Sequence, residues 1–446
     1  MKKRLPKLTY TQLIAAGFLG IIALGSLLLC LPISSKAGLW TPYINSLFTA
    51  TSATCVTGLV VYDTFSHWSM FGQLVILLMI QIGGIGFMTI ITLFSLVLGR
   101  QISLHERKLI MQSAGALQVG GVVSLIKKVA FATFMIEGIG AVLLSFRFVP
   151  ERGVAQGIYA AIFHSVSAFC NAGFDLMGYY EPFSSLTRYV TDPLVNYTLI
   201  ALILLGGLGF FVWRDVATNK WRFSKYQLHT KLALMMTAIL TVGGMVLFFI
   251  FEYSATQADM SIGQRVMVSL FQAVTPRTAG FNTTDINAFS ESGSMLTMML
   301  MFIGGNPGST AGGIKTTTLL VLVLSIVATC RHSTGITIFK RRMEDGIARQ
   351  AAAIATIYMI AIMAASMIMG ALEPLDMKTI LFETISAAGT VGLTAGATQV
   401  MGSVSKIMIM ILMFGGRVGG LTLALVLAEK RVHVPLERPT EKIMLG

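Results

Sequence analysis

The sequence predicts an all-α integral membrane protein, built in one chain from four parallel repeats of helix, re-entrant loop and helix with pseudo-fourfold symmetry. The first observation is composition: 54% of the 446 residues are hydrophobic and 12% are charged, with a mean hydropathy of +0.76. Soluble domains carry about 25% charged residues. The second observation is a short stretch that recurs four times at a nearly constant interval, which indicates an array of similar units.

Each copy of this stretch begins with an aromatic residue, continues through one or two turns rich in Ser, Thr and Ala, and ends on Gly. We call the aromatic residues the anchors; they are Phe48, Phe163, Phe271 and Phe382, and the terminal glycines are Gly58, Gly173, Gly280 and Gly392. The step from anchor to glycine is ten residues in three copies and nine in the third. Successive glycines are 115, 107 and 112 residues apart, so the four units have similar lengths.

Apolar runs flank each copy. A helix needs about 20 residues to cross the hydrocarbon core, and eight runs reach this length, near residues 10–31, 70–99, 122–148, 193–213, 230–253, 294–328, 350–372 and 404–428. The recurring stretches hold segments of 12–14 residues, which are too short to cross and are predicted to be re-entrant helices, at about 42–54, 156–169, 264–275 and 377–388. Their non-helical ends can lie at membrane depth only where protein or a water-filled cavity surrounds them.

These runs divide the chain into repeats at residues 10–99, 100–218, 219–330 and 331–430, with a tail at 431–446. In the third repeat we expect the second helix to break at 304–315, because residues 304–313 include five glycines and a proline. The other repeats carry glycine pairs at the matching place. For Gly83-Gly84 and Gly206-Gly207 we expect close helix packing through small residues.

The charge pattern predicts the orientation. Segments 1–9, 100–128, 214–231, 331–349 and 429–446 contain 4, 5, 5, 5 and 4 Lys and Arg residues. By the positive-inside rule both termini are cytoplasmic, and the four recurring stretches open to the outside of the cell. The distribution of the net charge of +13 therefore follows the positive-inside rule, and nucleic acid is not an expected partner. The basic cytoplasmic linkers, for example 340–342, could dock a partner protein or face anionic membrane lipid. Acidic residues such as Asp63 and Asp285 lie on the outer side, where they would concentrate cations.

The recurring glycines fit a cation filter made of main-chain oxygens. A cation that crosses a bilayer must exchange water for other oxygen ligands, and backbone carbonyls of extended loops can supply them. Such loops need unusual dihedrals, which Gly adopts without strain. The fourth copy reads Thr-Val-Gly, like the start of the potassium-channel filter. The predicted ion-binding residues are Val56, Thr57, Gly58, Asn171, Ala172, Gly173, Thr278, Ala279, Gly280, Thr390, Val391 and Gly392.

On these motifs, on residues 275–282 and on the glycine-rich break, the chain resembles the Trk/Ktr/HKT superfamily of potassium transport proteins, and in particular the membrane subunit of bacterial Ktr systems. The resemblance covers about residues 10–430. It implies a potassium-channel-like pore of four helix–pore loop–helix repeats, with potassium as the bound ion. It also implies a homodimer on a cytosolic ring of nucleotide-binding (RCK/KTN-type) regulatory subunits. Gly58 at the first filter position implies potassium permeation, where a Ser would imply sodium selectivity.

The resemblance also implies a gate. The broken helix looks like an intramembrane loop that blocks the path beneath the filter, and Arg417 matches a membrane-buried Arg of the family. The predicted gate residues are Gly304, Gly305, Gly308, Gly312, Gly313, Lys315 and Arg417. A cation at a helix centre costs about 2.5–3.5 kcal/mol on insertion scales and indicates function. The alternatives are that Arg417 only holds loop carbonyls, and that Lys315 caps a helix end and snorkels.

Three other side chains carry structural predictions. Arg277, beside the third filter segment, is expected to brace the loop, for example against Asp285. His164 lies in a re-entrant helix and is expected to be a packed, neutral histidine rather than an ion ligand. The four cysteines, in or beside apolar runs without CxxC spacing, are expected to be free thiols.

Other functions fit less well. Residues 308–316 resemble a phosphate-binding P-loop, but Ile314 separates the glycine from the lysine and no strand precedes them, so this chain is not expected to bind a nucleotide. No motif of an intramembrane enzyme is present. The main alternative is a secondary cation transporter, sodium-coupled or sodium-permeable, which would also use broken helices at mid-membrane. A purely structural scaffold is the third.

Overall fold

The computed structural model describes residues 10–86, 89, 122–220, 222–333 and 335–419. Within these residues the chain is almost entirely helical. Its one small sheet pairs β1 (Thr337–Ile338) with β2 (Arg341–Arg342) in antiparallel orientation. The predicted class, an all-α integral membrane protein, is confirmed. The repeat boundaries predicted at residues 99/100 and 430/431 lie outside the described residues.

The first repeat contains α1 (Tyr10–Cys30), the half-helix α2 (Tyr43–Cys55), the single turn α3 (Thr64–His67) and α4 (Met70–Ile85). A 3-10 turn at Pro32–Ser34 ends the first span. Asp63 and Ser69 are the N-caps of α3 and α4, and their side chains accept hydrogen bonds from backbone N–H groups in the first turns of these helices.

The second repeat has the same order. It consists of α5 (Val122–Arg152), the half-helix α6 (Val154–Phe169), α7 (Pro193–Leu208) and α8 (Phe210–Asn219), with 3-10 turns at Met177–Tyr179 and Thr187–Tyr189. Gly153, with φ 80°, separates the long span from its half-helix. Asp192 caps α7, and the proline at its first position needs no N–H partner there.

The third repeat contains a 3-10 turn at Phe223–Lys225, then α9 (Leu228–Phe251), the half-helix α10 (Ile262–Val274), a 3-10 turn at Ile286–Ala288, α11 (Glu291–Phe302) and α12 (Thr316–Cys330). A capping box starts α10, in which Ser261 and Gln264 satisfy each other's backbone N–H groups. The predicted break in this repeat is present as the non-helical segment 303–315.

The fourth repeat follows the small sheet. It consists of α13 (Ile347–Leu372), the half-helix α14 (Met377–Gly389), the single turn α15 (Ala397–Val400) and α16 (Ser403–Val418). The four half-helices agree with the predicted re-entrant segments to within two residues at each end. Each lies inside the molecule, since the anchors Phe48, Phe163, Phe271 and Phe382 are at most 2% exposed.

The first helix of each repeat is long and apolar enough to cross a membrane without a break: Gln12–Cys30, Val123–Arg152, Leu228–Phe251 and Ile347–Leu372. The second helices differ from the eight continuous spans that the sequence predicts. The predicted span 193–213 is wrong as a straight helix, because α7 and α8 meet at an angle of 94°. The continuations of α4 and α16, predicted to reach residues 99 and 428, lie outside the described residues.

A glycine at the matching position ends three of these second helices. Gly86, Gly209 and Gly419 follow α4, α7 and α16 with φ values of 92°, 97° and 98°. L side chains rarely adopt this conformation. The last four carbonyl groups of a helix have no intrahelical donor. The breaks therefore leave the carbonyl oxygens of Gly206, Gly207 and Gly416 open to other partners, whereas Gly415 O accepts from Gly419 N at 3.0 Å.

The expectation that the glycine pairs allow close packing agrees with the geometry. A Cβ atom built on Gly83 would overlap the carbonyl oxygen of Thr54, and one built on Gly206 would overlap that of Phe169. In the fourth repeat Gly416 has the same relation to Ala388. All three carbonyl oxygens lie four residues before a filter glycine, so the second helices pack directly on the ends of the half-helices.

We predict that Gly83→Ala and Gly206→Ala destabilise the protein by about 1–3 kcal/mol, because the added methyl group overlaps a backbone atom that cannot move freely. Thermal unfolding of the detergent-solubilised protein measures this effect. Gly243→Ala is the matched control, since nothing lies within 4 Å of a Cβ at that helical position. Equal melting temperatures for all three variants would contradict the packing argument.

Candidate cation pathway

The four recurring glycines form a closed ring. We call residues 56–58, 171–173, 278–280 and 390–392 the filter segments. A methyl carbon built on Gly58 would lie 3.2 Å from the Cα of Gly173, and one on Gly173 would lie 3.0 Å from the Cα of Gly280. One on Gly280 would lie 3.2 Å from the Cα of Gly392, and one on Gly392 would lie 3.0 Å from the Cα of Gly58. The chain therefore brings together the four segments that the sequence singles out.

Main-chain oxygens belong to the same ring. The carbonyl group just before each glycine lies against the glycine of a neighbouring segment: Ala172 against Gly58, Ala279 against Gly173, Val391 against Gly280 and Thr57 against Gly392. The four contacts repeat the same relation around the ring. No side chain larger than hydrogen fits at the glycines, because each built Cβ comes within 3 Å of one of these oxygens.

The filter segments share an unusual backbone. Two residues before each glycine, Val56, Asn171, Thr278 and Thr390 have φ values of 57°, 60°, 71° and 51°. The glycines themselves have φ values of 97°, 69°, 80° and 95°. A β-branched residue in the left-handed region is a strained exception, which persists only where the surrounding structure holds it. The sequence analysis missed this position, since only Asn171 has a side chain that favours it.

Hydroxyl groups of the half-helices hold the strained segments in place. Each lies four residues after an anchor: Ser52, Ser167, Thr275 and Ser386. In the first and fourth repeats the hydroxyl oxygen accepts a hydrogen bond from the filter glycine itself, Gly58 N to Ser52 at 3.0 Å and Gly392 N to Ser386 at 3.1 Å. In the other two repeats the hydroxyl donates to the carbonyl group after the glycine, that of Phe174 or Phe281.

These hydroxyl-bearing residues were also missed. The signal that could have found them is the constant distance from the anchor, which places Ser or Thr at the same site in all four copies. All four are fully buried. A buried hydroxyl with a backbone partner contributes about 0.5–1.5 kcal/mol, so the four bonds together offset part of the strain in the filter segments.

A cavity of about 290 Å³ lies on the ring. Its lining includes all four glycines and the acidic residues Asp63, Asp175 and Asp285. Asp63 and Asp285 were expected on this side, but both carboxylates also accept hydrogen bonds from nearby backbone N–H groups. Asp175, two residues after Gly173, was not anticipated. Burial raises the pKa of its carboxyl group to about 7, so the charge of this cavity changes near neutral pH.

On the opposite side, the segment 303–315 of the third repeat crosses beneath the ring. Its two ends are tied together, because Gly304 N donates to Ile314 O at 2.8 Å and Thr316 N donates to Gly305 O at 3.1 Å. At its far turn, a Cβ on Gly312 would overlap the side chain of Thr390 in the fourth filter segment. The loop is therefore in direct contact with the filter.

The carbonyl groups left open by the helix breaks bind this loop. Gly206 O accepts from Thr310 N at 3.2 Å, Gly207 O accepts from Asn306 N at 3.1 Å, and Gly416 O accepts from Gly313 N at 3.2 Å. The glycine pairs thus have a second role that the packing interpretation did not include. The helix-ending glycines at the matching place in three repeats, Gly86, Gly209 and Gly419, were the available signal.

Arg417 connects the loop to the first repeat. Its guanidinium group donates to the carbonyl oxygens of Thr310, in the loop, and of Gly83 and Gly84, at the end of α4. These hydrogen bonds agree with the alternative in which Arg417 holds backbone carbonyl groups. They place a fixed positive charge beside the loop as well, so the geometry is compatible with both roles.

Lys315 lies at the N-terminal end of α12, where its ammonium group donates to Ala311 O at 2.6 Å and to Gly312 O at 3.4 Å. A cation is unfavourable at a helix N-terminus, because the helix dipole is positive there. Of the two alternatives for Lys315, capping of the helix end is absent, since its side chain makes no cap hydrogen bond to α12 and instead joins two carbonyl groups of the loop. The predicted gate residues Gly304, Gly305, Gly308, Gly312, Gly313, Lys315 and Arg417 all belong to this one assembly.

The suggested partner for Arg277 was wrong. Its guanidinium group is buried and donates to the hydroxyl of Thr241 in α9 at 3.0 Å, while Asp285 caps the 3-10 turn at 286–288. His164 is packed as expected. Its Nδ1 lies 2.7 Å from Ala160 O, which can only accept, and its Nε2 accepts from Leu176 N at 3.2 Å, so the ring is neutral. Cys30, Cys55, Cys170 and Cys330 are free thiols.

Comparison with known proteins agrees with this geometry. The family model described as "TrkH: Cation transport protein" matches residues 11–433. The chain is 41% identical to the potassium/sodium uptake protein NtpJ of Enterococcus hirae over 100% of this chain and 99% of that protein. It is 42% identical to the Ktr system potassium uptake protein B of Bacillus subtilis, over 93% and 92% of the two chains.

The chain belongs to the TrkH family of cation transport proteins. A solved structure, that of the potassium transporter TrkH from Vibrio parahaemolyticus, has the same fold, with a TM-score of 0.75 and 17% identity over 96% of this chain and 87% of that one. The predicted membership of the Trk/Ktr superfamily is confirmed, and the chain is a multi-pass membrane transport protein rather than an enzyme.

Proposed function

We propose that this protein takes up potassium ions across a bacterial cell membrane through a pore whose selectivity filter is formed by backbone carbonyl groups. The observation that carries the proposal is the ring of four filter segments, each of which presents a carbonyl oxygen beside the next segment's glycine. Such oxygens replace the hydration shell of a monovalent cation. The predicted filter residues, from Val56 to Gly392 in four groups of three, supply the binding site for the ion.

Two further facts favour potassium. The relatives at 41–42% identity are named for potassium uptake, one of them for potassium and sodium. Gly58 occupies the first filter position, which in the resembling superfamily accompanies potassium permeation. The name of the Enterococcus relative keeps one alternative open, a sodium-permeable or sodium-coupled transporter. Because the ring contains no carboxylate, an ion there is held by dipoles, as in a channel.

The loop at 303–315 is proposed as the gate. It contacts the filter on the face opposite the acidic cavity, so an ion leaving the filter on that side meets it directly. Its hydrogen bonds run to the ends of the second helices of the second and fourth repeats, and Arg417 extends them to the first. A movement of those helix ends would therefore reposition the loop.

The cytoplasmic side is the proposed place of regulation. By the positive-inside rule the parts of the chain that follow the breaks face the cytoplasm, as do both termini. A Bacillus relative is named as the protein B of a Ktr system. We infer that this chain works as a homodimer with a cytosolic nucleotide-binding (RCK/KTN-type) regulatory ring, which would act on the second helices. The nucleotide would then bind to the partner and not to this chain.

The filter is tested by Gly58→Ser. We expect the parent chain to restore growth of an uptake-deficient strain at limiting potassium, and the variant to lose potassium over sodium preference by about tenfold, equivalent to about 1.4 kcal/mol. The added side chain has no room beside Ala172 O and forces the carbonyl ring to shift. Growth and Rb⁺ uptake at graded sodium concentrations measure the preference.

Gly38→Ser is the control for Gly58→Ser. Gly38 also has a positive φ, of 67°, but nothing lies within 4 Å of a Cβ there, so the variant has similar backbone strain without a filter contact. Unchanged selectivity in Gly58→Ser, or failure of the parent to support growth, would contradict the proposed function. Saturable uptake strictly coupled to sodium would favour the secondary transporter.

The gate is tested by deletion of residues 307–312 and, with less disruption, by Arg417→Gln. The deletion removes most of the loop, and Arg417→Gln removes its connection to the end of α4, so we expect faster Rb⁺ flux that depends less on the regulatory partner. Arg265→Gln is the matched control, because Arg265 also donates to three backbone carbonyls, those of Tyr253, Ala258 and Met260, but at the outer end of the third repeat. Parental flux and regulation in both loop variants would refute the gate.

A further inference from the structure

A second set of contacts connects each half-helix to the chain that leaves the filter. We call residues 59–62, 174–177, 281–284 and 393–398 the exit segments; they follow the four filter glycines on the side of the acidic cavity. The residue directly after each anchor is Thr49, His164, Gln272 or Glu383. All four are polar and at most 2% exposed. Four buried polar side chains at one repeated position require specific partners.

In three repeats the partner is the exit segment of the same repeat. His164 Nε2 accepts from Leu176 N at 3.2 Å. Gln272 Nε2 donates to the hydroxyl of Thr284 at 2.8 Å. Glu383 Oε1 accepts from the hydroxyl of Thr394 at 3.1 Å, and also from that of Thr398. The donor and acceptor groups differ in each case, but every bond joins the same turn of a half-helix to the exit segment of that repeat.

The first repeat makes this connection from the preceding turn. Thr49 donates to Asn45 O at 3.0 Å, within its own helix, and does not reach the exit segment. Instead Asn45 Nδ2 donates to the hydroxyl of Tyr62, four residues after Gly58, at 2.7 Å. Lys406 of the fourth repeat donates to Asn45 Oδ1 at 3.0 Å and fixes that amide. All four exit segments are therefore held to their half-helices by a side chain.

We propose that His164, Gln272 and Glu383, with Asn45 in the first repeat, are positioning residues that determine ion selectivity by fixing the exit side of the filter. This inference rests on the proposed function. Potassium and sodium differ in size, so discrimination depends on how firmly the carbonyl oxygens keep their spacing. The hydroxyls of Ser52, Ser167, Thr275 and Ser386 hold the filter at the glycines, and the positioning residues hold it a few residues later, so each filter segment is fixed at two points.

The chain offers a matched set of Thr→Val substitutions to test this. Thr284→Val removes the hydroxyl that accepts from Gln272, and Thr394→Val removes the hydroxyl that donates to Glu383. Thr49→Val removes a hydroxyl that bonds only within its own helix. All three change the same group at buried or half-buried sites. The readout is Rb⁺ uptake into uptake-deficient cells with K⁺ and Na⁺ as competitors, which gives a selectivity ratio independent of the amount of protein.

We expect Thr284→Val and Gln272→Leu to lower the potassium-to-sodium ratio by about threefold or more, as the loss of one buried hydrogen bond allows. Thr49→Val should keep the parental ratio. Gln272→Glu should keep most of it, because it copies the Glu383–Thr394 pair of the fourth repeat into the third. If Gln272→Leu does not reach the membrane, the threonine variants decide the question.

Parental ratios in both Thr284→Val and Thr394→Val would overturn the inference, and so would an equal loss in Thr49→Val, which would indicate a general packing defect. These outcomes differ from failure of the proposed function. In that case the parent chain itself would show no preference for potassium over sodium, whatever the variants do.

Discussion

An unpaired peptide group inside a bilayer costs several kcal/mol, because no water is present to hydrogen-bond with it. This chain nevertheless holds four non-helical filter segments and one thirteen-residue loop, 303–315, between membrane-spanning helices. The structure meets this constraint because the backbone groups of each non-helical segment form hydrogen bonds with groups of another segment. Glycines end the second helices early, the carbonyl groups left over accept from the loop, and the half-helices supply hydroxyl and amide groups to the filter.

The same constraint explains why the repeats are similar but not identical. Three second helices end at a single glycine of φ near 95°, and among the residues that the structure describes only the third repeat has a long non-helical segment beneath the filter. One loop is sufficient because the other repeats each contribute the end of a helix to hold it.

The sequence contains most of this architecture in its periodicities. Anchors and glycines at a constant interval predict the half-helices to within two residues and identify the segments that meet in the ring. The broken helix is predicted from its proline and glycines. What could not be predicted depends on contacts between distant repeats. The 94° bend at Gly209 is accompanied by a contact with the loop, since Phe210 N donates to Gly308 O. Arg277 bonds to Thr241 because α9 packs against its part of the third repeat.

The positions of the ions test the account most directly. Electron density or anomalous scattering from Rb⁺ or Tl⁺ in the purified protein would locate them. We expect a peak on the axis of the ring, within coordination distance of the carbonyl oxygens of Thr57, Ala172, Ala279 and Val391. A peak at acidic side chains alone, or four filter segments too far apart to share one ion, would contradict the claim that backbone oxygens form the filter.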